Sequence, residues 1–156
     1  MSNKITSVSS IMLRLMLGWY MFFAGIEKVM NTEWSASGFL MHAKTFPAFY
    51  AWFGSEANAW WINPLNAWGI FLVGVALLLG VGIRFASILG ATLMILYYFP
   101  HNVFPTVPHG FIVEEHIINA VAFIFIAFYL PAHKFGLADK LRKTFLGRIP
   151  VLGKMI

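Results

Sequence analysis

Glu115, His116 and Asn119 open the last long apolar run of the chain, and their side chains suit proton transfer and hydrogen bonding. An imidazole beside a carboxylate gives or takes a proton near neutral pH. On a helix, Glu115 and Asn119 share a face four residues apart, and His116 borders it. Tyr97, Tyr98 and His101 end the apolar run before this one, and Glu27 with Lys28 ends the first. Three segments distant in sequence therefore bring acids, imidazoles and phenols to one depth. The site expected from this convergence gathers Glu115, His116 and Asn119 with Glu27, Lys28, Tyr98 and His101 around one pocket near the surface. A plainer reading of the same residues is that Glu114 and Glu115 favour the positive end of a helix, while His116 and Asn119 hold helices together.

Arg14 stands apart, inside the first apolar run. An ionisable group at membrane depth is costly and so is a functional candidate. It either snorkels to the surface or turns inward to a carbonyl, an acid or a bound head group. At 100° per residue it shares a stripe with Gly18, Gly25 and Lys28, which predicts the inward orientation and adds Arg14 to the ligand-binding candidates. His101, His109, Glu115 and His116 are of metal-ligating type but lack the paired i, i+4 histidines of a helix-borne site, so neither metal nor haem is expected. With no cysteine in the sequence, disulfides, thiolate sites and iron–sulfur clusters are excluded within this chain. Phosphate-loop, dinucleotide and nucleophile motifs are absent.

The elements that must position these residues are helices in a membrane. Of the 156 residues 60% are hydrophobic and 11% charged, against about 25% charged in a soluble domain; mean hydropathy is +0.75. Apolar runs predict spans over about 8–30, 65–83, 85–100 and 114–131, near the length of about 20 residues that a bilayer requires. Asn63-Pro64 reads as the start of the second span, Gly80-Val81-Gly82 as a tight turn, and Pro100 and Pro131 as stops. The fold class is thus all-α, one domain over 1–156, an integral membrane four-helix bundle with Gly18, Gly25, Gly69, Gly74 and Gly90 placed for close helix approach. Residues 31–63, rich in Trp and Phe but too polar to cross, predict interfacial helices over the mouth of the bundle. Residues 134–149 predict a basic amphipathic helix on anionic lipid. Lys4, Arg84, Lys134, Lys140, Arg142, Lys143, Arg148 and Lys154 fall on one side, and Lys28 and Lys44 on the other. That bias places both termini in the cytoplasm of a multi-pass plasma-membrane protein. The basic charge is accordingly a topology signature, and no nucleic-acid partner is expected.

Arg14-Leu-Met-Leu-Gly18 through Gly25-Ile-Glu-Lys28, Gly74-Val-Ala-Leu-Leu-Leu-Gly80-Val-Gly-Ile-Arg84, and Val113-Glu-Glu115-His116-Ile-Ile-Asn119 together resemble the DoxX family, close to its DoxD branch. DoxD is the membrane subunit of thiosulfate:quinone oxidoreductase. The resemblance implies a four-helix fold, a quinone as bound substrate and a partner redox subunit, with membrane lipid around the chain and homo-oligomers expected. It gives the polar cluster a task, since a quinone presents two carbonyls to be hydrogen-bonded and, on reduction, protonated. The alternative is a non-catalytic membrane scaffold or assembly factor that binds partner proteins through its glycine and aromatic faces.

The orientation is open to a direct test. With no native cysteine to interfere, single cysteines at Ser2, Ser55, Thr106 and Thr144 are treated on intact cells with an impermeant thiol reagent. Ser55→Cys and Thr106→Cys should label while the other two stay unlabelled; labelling of Thr144→Cys would invert the topology.

Overall fold

The computed structural model describes residues 2–108, 110–134 and 136–137. His109 and almost all of the predicted amphipathic tail lie outside them. The described chain is helical: α1 (Ser2–Met30), α2 (Ser37–Met41), α3 (Pro47–Gly54), α4 (Glu56–Leu79), α5 (Ile83–His101) and α6 (Glu115–Phe128), followed by a 3-10 turn at Leu130–His133. A two-stranded antiparallel hairpin, β1 (Thr106–Val107) with β2 (Gly110–Phe111), sits between α5 and α6.

Three helices, α1, α4 and α5, are long and apolar enough to cross a bilayer. The boundaries differ from expectation in two places. Helix α4 begins at Glu56 rather than near Leu65, so Pro64 lies inside it. Ser55 precedes it in extended conformation and Glu56 meets its positive end. Proline there removes only the hydrogen bond to the Trp60 carbonyl, which an otherwise apolar helix tolerates. Helix α6 has only 14 residues, about 21 Å at 1.5 Å per residue, and the chain continues as the 3-10 turn where Pro131 forbids regular helix.

Helix α1 packs along α4 and α5 along α6, and the two pairs meet over a core of Leu17, Met21, Ile70, Val73, Leu77, Met94, Phe123 and Ile126. Glycine decides both seams. The antiparallel α1–α4 pair sets Gly25 against Phe71 and Gly74 against Phe22, so closely that a Cβ on Gly74 would lie 2.5 Å from the Phe22 Cα. Gly90 of α5 gives room to the fully buried Phe123 ring, which a Cβ would meet at 2.8 Å. Gly69, expected to do likewise, faces open space. Gly80 and Gly82 both take positive φ, 69° and 60°, and form the predicted turn between α4 and α5.

Arg14 is inward, at 2% exposure. Its Nη1 donates to the carbonyls of Ala132 at 2.8 Å and Lys134 at 3.0 Å. One guanidinium thereby fastens the segment after α6 to α1 beside the Gly80 turn, where Gly136 crosses the Gly80 backbone. Arg14→Leu should lower the unfolding free energy by about 1–3 kcal/mol, because two carbonyls lose their donor. Thermal unfolding in lipid nanodiscs checks this, with Trp19→Leu on the exposed face of α1 as the neutral comparison.

Candidate functional site

The site begins where α5 ends and α6 begins. Tyr98, almost fully buried, donates its hydroxyl to the Ile112 carbonyl at 2.7 Å. Ile112 holds a left-handed φ of 63°, unfavourable for a β-branched residue. This bond fixes the chain just ahead of α6 and so sets where Glu114, Glu115 and His116 stand. Tyr98 is therefore a positioning group for the loop rather than a wall of a pocket.

Glu114 is the N-cap of α6 and accepts from the His116 backbone N–H at 3.1 Å. The same carboxylate is hydrogen-bonded to His116 Nδ1 at 2.8 and 3.0 Å. The acid paired with His116 is thus Glu114, where Glu115 was expected. A capping side chain folds back over the first turn and meets both the amide and the ring two residues on. Glu115, at the first helical position, is exposed and its side chain makes no hydrogen bond among the described residues. Asn119 is half-buried and likewise makes none.

Around His116 the expected convergence is met in part. Its ring lies 5.7 Å from His101 and 6.5 Å from Tyr97, centroid to centroid. Tyr20 of α1 is close enough to Glu114 and Glu115 to feel their charge. The Glu27–Lys28 pair does not join them. Lys28 donates to the Ala24 carbonyl at 3.0 Å and stacks 5.6 Å over Trp34, while Glu27 is exposed. Arg14 belongs to the opposite end of α1. The carboxylate and imidazole atoms of Glu114, Glu115 and His116 lie within 4.8 Å of one another, near enough for a cation, but His116 Nδ1 is already engaged by Glu114.

A cavity of about 200 Å³ lies on the other side of Tyr97, between α4 and α5 and beneath α2 and α3. Its walls are Phe39, Leu40, Phe49, Phe53, Trp61, Ile62, Leu65, Leu93 and Leu96, with Tyr50, Asn66 and Tyr97 supplying the polar atoms. Leu65, Phe49 and Leu96 on its rim are exposed, so it opens sideways onto the apolar face of the helices. Tyr97 donates to Asn66 Oδ1 at 2.5 Å, and Asn66 Nδ2 has no acceptor among the described residues. Tyr50 is occupied in another way. Pro100 has no N–H for the Leu96 carbonyl, and the Tyr50 hydroxyl donates to that oxygen at 3.1 Å. Burial holds this phenol above its usual pKa, so it remains a donor.

None of the eight residues expected from sequence lines this cavity. Tyr97 was visible as one of the aromatic groups ending the third run. Asn66 carries a signal of its own in the sequence, a lone amide near the start of an otherwise apolar run.

Residues 9–102 match the DoxX family, from the first turns of α1 to the end of α5. The chain belongs to the DoxX family. DoxX is a membrane family often linked to oxidoreductase-associated subunits, in keeping with the three apolar helices here. The matched stretch of this DoxX chain holds Asn66, Tyr97 and His101 and ends before Glu114. No curated protein and no solved structure matches the chain.

The cap arrangement separates the two glutamates experimentally. Glu114→Ala should destabilise by about 0.5–2 kcal/mol through the lost N-cap, and Glu115→Ala by well under that. Denaturant or thermal unfolding of both variants in nanodiscs reads the difference; equal losses would refute the assignment of Glu114 as cap and histidine partner.

Proposed function

We propose that this DoxX protein is the quinone-interacting membrane subunit of an oxidoreductase, resembling the DoxD subunit of thiosulfate:quinone oxidoreductase. The chain crosses the membrane four times, the short α6 completed by the 3-10 turn, with both termini cytoplasmic and α2 and α3 lying at the outer interface. The observation that carries the reading is the sideways-opening aromatic cavity with a single free donor, Asn66 Nδ2, at one edge. An apolar cavity of about 150 Å³ accepts a benzene-sized ring, so this one accepts a substituted ring whose tail stays among the lipid chains. Aromatic walls bind the ring by area, and the few polar groups fix its orientation. Asn66 then donates to one ring carbonyl and Tyr97 stands beside it, backed by the His116–Glu114 pair. Electrons come from a partner redox subunit.

This replaces direct contact of His116 with the ring by contact through Tyr97. His116 remains the proton donor and Glu114 its orienting acid, with Glu115 beside it at the helix start. Lipid extraction of the purified protein should recover a bound quinone, and the protein should bind ubiquinone-1. Asn66→Leu should weaken that binding by about 1–3 kcal/mol, and enlarging Leu93 to Trp should block it. A purified protein that carries no quinone, binds none and retains a stable partner protein would establish the scaffold reading instead.

A further inference from the structure

We propose that His116 and His101 form a proton path joining the ring cavity to the aqueous face at the loop end of the molecule. The proposal rests on the quinone reading above. Reduction of a quinone to a quinol consumes two electrons, here from the partner redox subunit, and two protons, one for each carbonyl oxygen. The electrons need no opening in the protein, but the protons must come from water.

The cavity walls leave one exit for them. Phe, Leu, Ile and Trp side chains carry no exchangeable acid, and Tyr50 is committed to the Leu96 carbonyl. Asn66 offers a hydrogen bond but no transferable proton. Tyr97, whose hydroxyl donates to Asn66 Oδ1, can give that proton to the ring on leaving the amide and must then recover one. Behind its ring stands His116, and behind His116 stands His101, with ring centroids 6.5 and 5.7 Å apart. These are the separations of rings in contact, so a proton passes between their polar edges directly or through one water at the rim. Glu114 occupies His116 Nδ1, which leaves Nε2 as the nitrogen free to exchange.

His101 completes the route because it is exposed and lines a second hollow, of about 210 Å³, with Lys44, Asn102 and Thr106. The charged and titratable groups facing the path are Glu114, Glu115 and Tyr97 around His116, Tyr20 from α1, and Lys44 beside His101. An apolar cavity among the helices and an exposed hollow beside Lys44, walled also by Val103, Val107 and Pro108, thus meet through two imidazoles. The same route runs outward when quinol is oxidised.

The test uses the full chain in a lipid film on an electrode, with ubiquinone-1 as the ring and the electrode as electron source. His101→Gln removes an exposed side chain and should leave folding intact. Its affinity for ubiquinone-1 should stay within about twofold of the parent, while proton-coupled reduction at neutral pH slows about tenfold or more. The deficit should grow as pH rises, and added imidazole should restore the rate. Parental rates across the pH range would overturn the path yet leave the ring site standing. A slowing that is the same at every pH and unmoved by imidazole would also overturn it, since that marks a structural effect. Failure of the parent itself to bind ubiquinone-1 would remove the ring site and the path together.

Discussion

Backbone carbonyls without a helical donor dictate most of the long-range polar contacts in this protein. In hydrocarbon such an oxygen cannot turn to water, and each one left unpaired costs several kcal/mol. At two of them proline removes the donor and a distant side chain replaces it. Pro100 strips the donor from Leu96, and Tyr50 of α3 supplies one; Pro131 does the same to Ala127, and Arg84 Nε reaches it at 3.3 Å. The end of α6 adds more, met by His133 on Ile126 and by Arg14 on Ala132 and Lys134. Each bond joins segments that are separate in sequence or closes the last turn of the chain. The helices are therefore fastened by cationic and phenolic donors at their ends, whereas between those ends they are held by glycine contacts and apolar packing.

This division of labour explains why the aromatic cavity survives. The α1–α4 and α5–α6 seams are close because glycines permit it, but α4 and α5 are joined by a tight turn at one end only. Toward the other end the space between them is filled from above by α2 and α3. Asn63 ties the start of α2, accepting from the Ala36 N–H at 3.0 Å, and Tyr50 ties α3. A roof of two short helices, held by a few hydrogen bonds and ring contacts such as Phe39 with Tyr97, leaves the cavity beneath it.

The helices were legible where apolar runs were long and punctuated by glycine, as at the Gly80–Gly82 turn. The inward set of Arg14 was legible too, from its stripe with Gly18 and Gly25. Proline was the misleading signal. Pro64 has the form of a helix start, yet a helix in apolar surroundings continues through it at the loss of one hydrogen bond. The acidic pair misled for a related reason, since periodicity cannot tell a capping residue from the first helical one, and that single position decides whether Glu114 or Glu115 meets His116. The cavity lay beyond the sequence altogether. It depends on where the short α3 settles over α4 and α5, which rests on single long-range bonds such as Thr45 Oγ1 to the Asn102 carbonyl at 2.6 Å and the Tyr50 hydroxyl to the oxygen that Pro100 leaves bare.

Trp61 gives the cavity an optical property. Its indole forms part of the wall beside Phe53, 6.3 Å from it, while its Nε1 is held by Asn58 Oδ1 at 3.1 Å. The fluorophore is thus fixed in place at the rim of the proposed ring site. Quinones are efficient electron acceptors from excited indole, so occupancy would be written directly into the emission of this residue. The five other tryptophans lie outside the cavity wall and supply a constant background. The protein carries its own spectroscopic label, with no dye to attach and no side chain to replace.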